Sequence, residues 1–561
     1  MVLEQIIPTP QATTLERADA IVQRLASRKD DWLRVGIPER IAYLQQCIEQ
    51  VQSVAETWAN AACHAKGIDP NSNLAGEEWF LGPIPTLFNL RLLIDALQAK
   101  GQPQPVKVSL HNGQAIAQVF PATVMDRLIL PGYTGEVWIE PGQPATQGRV
   151  YREKPATGQL SLVLGAGNVS SIAPMDALYK LFAEDAVVLL KMNPVNEYMG
   201  KILEVALNPL RQAGFLEIVY GGAELGSHLC QHPEVDTIHI TGSHHTHDAI
   251  VWGSSAEEQT RRKETHQPLN SKPITSELGC VTPVIVVPDR WSSAELLSQA
   301  HQIAEMVAHN ASFNCAAAKV VVTDRNWEQR QQFLNLLRQE LTAIPSRRAY
   351  YPGAEQRYQN FLNQYPQAEA LSPAGEGVVP WTLLPDVPAQ AGELALTQEA
   401  FCGVLAEVGL EATDTGDFLA KAVEFVNGQV WGNLSCTLLV HPATQKRWTA
   451  ELEYAIAQLQ YGAIGVNVWS AVAFSLPMLP WGAFPGNSLA DIRSGRGFVH
   501  NTYLFDYPQK AVLRAPFRIF PIPAWYSNHK NLLQLARRTC ELQADLTWGN
   551  FFKAAIAGMQ G

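Results

Sequence analysis

Leu160-Ser161-Leu162-Val163-Leu164-Gly165-Ala166-Gly167-Asn168-Val169-Ser170 is the stretch that decides the fold. Its first five residues, apolar at four positions, predict a strand buried on both faces. The two glycines predict a tight turn out of that strand, and the residues beyond Ser170 predict a helix. The segment resembles the opening of a Gly-x-Gly-x-x-Gly dinucleotide loop, with Ser170 where the third glycine belongs. Such a unit needs a carboxylate for a ribose at the end of its next strand, and Lys191 stands there instead. For these residues alone two readings stay open: a phosphate-facing loop, or a plain strand-to-helix turn.

Downstream, apolar runs at 186–190, 216–220 and 235–240 alternate with helix-length segments. That rhythm predicts a doubly wound parallel sheet. A second α/β block runs from about 277 to 490, with strands expected at 284–287, 318–322 and 437–440, interrupted by a polar, Pro- and Gly-bearing stretch near 343–392. Upstream, apolar spacings of three and four, as at Ile41, Leu44, Ile48 and Val51, predict amphipathic helices over residues 14–65. Residues 103–160 read instead as short strands at 106–110, 135–139 and 148–152 between Gly and Pro breaks, a candidate protruding hairpin. The last 60 or so residues read as extended around Asn501 to Phe505 and helical from Leu532 to Leu546.

The chain has 561 residues, 47% of them hydrophobic and 17% charged, enough for two or three packed domains. A net charge of -11 argues against a nucleic-acid partner, short basic runs such as Arg261-Arg262-Lys263 notwithstanding. Eight cysteines without paired spacing suggest neither a disulfide framework nor a zinc knuckle, and a reducing compartment is expected. The first residues lack a basic segment followed by an apolar one, and no uninterrupted apolar run is long enough to span a membrane. The expectation is a cytoplasmic protein with a small-molecule substrate and no membrane association.

Five segments then occur in a fixed order: Gly167-Asn168, Leu190-Lys191, Ile240-Thr241-Gly242-Ser243, Glu277-Leu278-Gly279 and Asn314-Cys315. As an ordered set over roughly residues 20–490 they resemble the aldehyde dehydrogenase superfamily. A sixth, Glu399-Ala400-Phe401-Cys402-Gly403-Val404, is similar to that family's Glu-x-Phe-Gly-Pro-Val segment. The polar insertion at 256–270 and the tail beyond 500 depart from the family pattern. The resemblance implies two Rossmann-type α/β domains with a protruding β oligomerisation element. The expected division is 1–130 with 159–276 for nucleotide binding, 131–158 for the β element, 277–490 for catalysis and 491–561 for a C-terminal arm.

The same resemblance assigns roles. Cys315 is the nucleophile, and the small residues after it suit a helix start that would favour the thiolate. Asn168 and the Cys315 N–H stabilise the oxyanion. Glu277 activates the deacylating water, which favours a free acid as product. Lys191 meets the adenosine ribose, Gly242 and Ser243 the pyrophosphate, and Glu399 and Phe401 the nicotinamide riboside. Pro194 stands where the family often carries an acid that repels a 2'-phosphate, so NAD and NADP both remain possible as cofactor.

Three functions follow for testing. The first is oxidation of an aldehyde to a carboxylic acid through a cysteine thiohemiacetal and thioester; the second is NAD(P)H-dependent, CoA-acylating reduction of an acyl-CoA, favoured by Gly-Asn-Val after the strand; the third is a catalytically inactive assembly protein of the same fold. The His244, His245 and His247 run lacks partners at ligand spacing, so no metal is expected. Trp469, Phe474, Trp481 and Phe484 form either a substrate funnel or core packing. The apolar, proline-rich stretch 514–526 suits an extended arm on another surface, and a homodimer or higher homo-oligomer is expected.

Overall fold

The structure is a computed structural model and describes residues 10–561. Among these, four apolar runs predicted as strands, β4 (Gln159–Leu164), β5 (Ala186–Lys191), β6 (Leu216–Val219) and β7 (Thr237–Gly242), build a six-stranded sheet together with β8 (Ile274–Leu278) and the short β17 (Gly495–Arg496). The order is β17-β8-β7-β4-β5-β6, parallel except for β17. The chain winds from β4 towards β6 on one side and from β7 towards β8 on the other. The reversal between β4 and β7 opens a crevice at their C-terminal ends, the place where this class of sheet binds ligands.

A second, eleven-stranded sheet runs β1-β2-β3-β19-β15-β14-β9-β10-β13-β12-β11. Its parallel heart comprises β9 (Thr282–Val286), β10 (Ala318–Asp324), β12 (Thr382–Leu384), β13 (Val404–Leu410), β14 (Ser435–Leu439), β15 (Ala463–Val466) and β19 (Pro508–Arg514). Most of these strands are wholly buried, which is why β9, β10 and β14 carry the apolar runs predicted at 284–287, 318–322 and 437–440. Beyond β19 lie β3 (Thr134–Ile139), β2 (Gln114–Phe120) and β1 (Lys107–His111), all antiparallel. β11 (Glu369–Ala370) closes the other edge.

The β element therefore differs from the expected 131–158. It begins at Lys107 with a hairpin turned by Asn112-Gly113, both at positive φ, and it extends the second sheet through β19. The strand expected at 148–152 is a short helix, Arg149–Arg152, entered through a left-handed Gly148. The segment after 491 is built into both sheets: β17 pairs with β8, and β19 lies between β15 and β3. Residues 501–504 are not extended, since Asn501 and Leu504 have positive φ.

The stretch 514–526 lies on its own chain, where Gln299 Nε2 donates to Phe517 O at 2.5 Å and Ser527 Oγ donates to Glu305 Oε1 at 2.6 Å. The helices Leu532–Ala544 and Trp548–Met559 follow, the first packed on the N-terminal helices. Asn73–Gln98 is apolar and long enough to cross a membrane, yet two thirds of its most apolar window is buried inside the chain.

Candidate active site

Cys315 lies between helix Ser293–Ala308 and β10, in a turn that leads directly into the strand. This corrects the expected helix start, and it removes the helix dipole that would have lowered the thiol pKa. The thiol is instead pushed well above its ordinary 9, by burial and then by the Glu277 and Glu399 carboxyls. A thiol raised in this way stays protonated and needs a base before it can act as a nucleophile. A carboxyl group is within reach: Cys315 Sγ donates to Glu277 Oε1 at 3.2 Å. Burial, followed by the charge of Asp176, raises Glu277 from 4.5 to about 7.

The residues before Cys315 are strained. Asn310, Ala311 and Ser312 have φ of 54°, 54° and 69°, a left-handed run without a glycine that costs about 1 kcal/mol or more per residue. Buried lysines hold both ends. Lys66, paired with Glu78 at 2.8 Å, donates to Asn310 Oδ1 at 2.9 Å. Lys319 donates to Ser312 O and Oγ at 3.2 and 3.1 Å. Asn310 Nδ2 in turn donates to Asn168 O and Phe313 O, both at 3.1 Å. The strain is absorbed by a fully bonded hub, and the turn carries Cys315 to Glu277.

Asn168 follows the Gly165 to Gly167 turn, and its Nδ2 donates to Phe313 O at 2.9 Å, two residues from the nucleophile. Among the described residues its second amide hydrogen makes no bond and the Cys315 N–H has no partner. Thr282 Oγ1 bonds Cys315 O at 3.0 Å and Trp469 Nε1 bonds Ala316 O at 2.7 Å, so the nucleophile's backbone is fixed on its other side. Glu399 is buried with Oε1 unpartnered and is raised by burial, which Lys319 partly offsets. Its carboxylate packs so closely on Gly279 that a Cβ there would stand 2.0 Å from Glu399 Oε2. Phe401 reaches the nucleophile loop, its ring 5.6 Å from Phe313.

The other predicted residues gather at the crevice of the six-stranded sheet. Lys191 ends β5, and burial lowers its pKa. Gly242 ends β7 exposed, and Ser243 caps helix His244–Trp252 by accepting from Thr246 N at 3.2 Å. Pro194 does stand three residues after Lys191, yet a carboxylate is present. The short helix Pro194–Met199 is broken at Asn196 and turns Glu197 back so that it accepts from Gly221 N, just past β6, at 2.8 Å. Glu197 is the carboxylate that acts most on Lys191. Of the aromatic group, Trp469 sits at the nucleophile and Phe474 packs 5.6 Å from Trp481, whereas Phe484 belongs with the buried Lys510.

Sequence reasoning missed Lys66, Glu77, Glu78 and Tyr350. Tyr350 donates to Asn168 O at 3.0 Å from within the polar stretch 343–392. Glu77, which burial alone would raise, is held at about 2 by Arg347 and His309. A pair of acids in an otherwise apolar helix was the available signal.

Residues 163–353 match the model of the aldehyde dehydrogenase family. No curated protein sequence matches the chain. Among solved structures, the NADP complex of the NADP-dependent glyceraldehyde-3-phosphate dehydrogenase of Bacillus halodurans C-125 is 16% identical, with a TM-score of 0.62, over 90% of this chain and 92% of that one. The substrate-bound AldH of Staphylococcus aureus is 17% identical, with a TM-score of 0.61 over 92% and 97%. The NAD+ complex of a Mycobacterium tuberculosis aldehyde dehydrogenase is 16% identical, with a TM-score of 0.59 over 91% and 92%. Residues 163–353 thus match the aldehyde dehydrogenase family model, and over about nine tenths of its length the chain shares the fold of these solved structures.

Proposed function

We propose that the protein oxidises an aldehyde to a carboxylic acid, with NAD or NADP as hydride acceptor, through a thioester on Cys315. The observation that carries this reading is the 3.2 Å contact between Cys315 Sγ and Glu277 Oε1, a buried nucleophile and a buried base with nothing between them. Glu277 takes the thiol proton as sulfur bonds to the aldehyde carbon. The Asn168 amide and the Cys315 N–H are the free donors beside the sulfur and receive the oxyanion. A bound nicotinamide supplies the hydride acceptor. Glu277 then takes a proton from water as the thioester is hydrolysed, and returns it to the departing sulfur.

The residues fit such a cofactor. Glu399 has a buried, unpartnered oxygen for a ribose hydroxyl beside the nucleophile. Lys191 is the ammonium for the adenosine ribose, and no atom lies within 4 Å of a Cβ built at Gly222, which leaves the wall of the crevice open. Lys191, Gly242 and Ser243 border the switch point between β4 and β7. Because Glu277 is already hydrogen-bonded to the thiol, water is favoured over coenzyme A as the acyl acceptor. Homo-oligomer formation is supported by β1, an open edge strand that exposes Val108 and Leu110.

The test is turnover of an aldehyde panel with either cofactor, with and without coenzyme A, followed at the reduced nicotinamide absorbance. Hydrolytic turnover that vanishes in Cys315→Ala is expected. Strict dependence on coenzyme A would replace this reading with acyl-CoA reduction, and the same rate in Cys315→Ala would overturn it.

A further inference from the structure

We infer that Glu277 discharges its proton to solvent through a buried relay of Asp176, His239 and Thr275 that ends in a cavity assigned no other role. The inference rests on the reading of Glu277 as catalytic base. In that reaction Glu277 acts as base twice per turnover, first for the thiol and then for water. The proton gained in the first step has to leave before the second can begin, yet Glu277 is only 3% exposed.

Secondary-structure periods place the relay. In β8, Glu277 and Thr275 are two residues apart and share a face. They lie opposite Thr241 and His239 of β7, which share the same face. Helix Ile172–Phe182 packs on β7 and brings in Asp176 and, one turn later, Lys180. Asp176 Oδ2 accepts from Thr241 Oγ1 at 2.8 Å and lies 3.4 Å from His239 Nε2. His239 Nδ1 is 2.9 Å from Thr275 Oγ1. Lys180, itself buried, donates to Thr275 Oγ1 at 2.9 Å and is clamped by Glu184 at 2.6 and 2.7 Å. Thr275 and Glu184 line a cavity of about 420 Å³ that opens between β17 and the turn before β19.

Donor chemistry sets the direction. A lysine ammonium only donates, so Thr275 Oγ accepts from Lys180 and keeps one lone pair and one hydrogen. In the Nδ1–H tautomer His239 donates into that lone pair, the hydroxyl hydrogen is free for the cavity, and Nε2 accepts from Asp176 once that carboxyl is protonated. Glu277 Oε2 and Asp176 Oδ1 are both buried and have no hydrogen-bond partner among the described residues, and the relay calls for one water to bridge them. His500, on β18 (Phe498–His500) against the same helix, is held at about 4 by burial, against the pull of Asp176, and stays neutral. Each turnover sends the former thiol proton through Asp176, His239 and Thr275; the second released proton leaves with the carboxylic acid.

The experiment is stopped flow on the full chain with an aldehyde it turns over, recording reduced nicotinamide and a pH indicator together. In the wild type a proton burst accompanies the nicotinamide burst. In Asp176→Asn and in Thr275→Val the nicotinamide burst should persist, the proton burst should vanish, and turnover should fall about tenfold or more and recover with added imidazole. Thr275→Val, nearly isosteric, carries the test should Asp176→Asn fail to fold. Wild-type proton bursts in both variants, or a loss that imidazole does not rescue, would overturn the relay. Glu277→Gln separates the two ideas. If it keeps full turnover, the catalytic reading falls and the relay with it; if it is inactive while both relay variants behave as wild type, only the relay falls.

Discussion

Replacing Glu277 by Gln should slow turnover strongly and, at the same time, stabilise the protein above neutral pH. Burial raises the Glu277 pKa from 4.5 to about 7, so the folded protein holds this proton more tightly than the unfolded chain does. The stability from that extra proton is fully present below pH 4.5 and is lost as pH rises to about 7. Over that window the loss, at ~1.36 kcal/mol per pH unit, reaches about 3 kcal/mol. Gln does not titrate. With an unfolding entropy of ~2.1 cal/mol/K per residue, the difference at pH 8 is about 2 to 3 °C in Tm if the chain unfolds as one unit. The assay is thermal unfolding of both proteins at pH 5 and pH 8 at one scan rate, so that irreversibility affects the pair equally. The variant should melt within about 1 °C of wild type at pH 5 and clearly above it at pH 8, with turnover down by about 10² to 10⁴. Equal melting at pH 8, or a variant that melts lower there, would mean that the charged carboxylate is already compensated. The base would then titrate as an ordinary surface acid.

Glu197→Gln removes the carboxylate that acts on Lys191 and should raise kcat/KM with NADP by about tenfold, since a 2'-phosphate would meet one charge fewer, while NAD kinetics change little; parallel initial rates with both cofactors decide this. Gly279→Ala puts a Cβ 2.0 Å from Glu399 Oε2, so cofactor affinity measured by fluorescence titration should fall while the melting temperature of the remaining fold stays near wild type. Lys66→Met leaves Glu78 buried and unpaired and should cost about 3 to 5 kcal/mol in denaturant unfolding; a Lys66→Met and Glu78→Met double variant should regain stability but not turnover, because Asn310 loses its ammonium donor. Leu110→Lys on the open edge of β1 should shift the assembly towards monomer in light scattering without changing the far-UV spectrum.

The parts of this molecule that were legible in the sequence are those whose causes are local. β4, β5 and β10 are largely buried on both faces, so each carries an apolar run that announces itself. The order of Asn168, Lys191, Glu277 and Cys315 survives as chemistry-bearing residues at strand ends. What stayed hidden depends on partners distant in the chain. β3 joins the second sheet only through β19, more than 370 residues later, so the β element could not be bounded from its own residues. Cys315 was expected at a helix start because Ala316 and Ala317 suit one. The left-handed turn at 310–312, latched by Lys66 from a helix about 245 residues earlier, sends the chain into β10 instead. Glu197 escaped notice because the break at Asn196 moves the acid out of its usual spacing.

These hidden features bear on one problem, the management of charge around a buried sulfur. A thiolate 3.2 Å from a carboxylate in an apolar pocket would place two like charges together at low dielectric. The protein avoids this by raising both groups, so that before reaction the thiol keeps its proton and donates it to the Glu277 carboxyl. The left-handed loop brings the sulfur to the carboxyl, and two buried lysines hold its two ends by hydrogen bonds. The cost of that design is a base that has to be emptied before it can act again. A buried chain of Asp176, His239 and Thr275 on the same sheet face as Glu277 is the feature such a base requires.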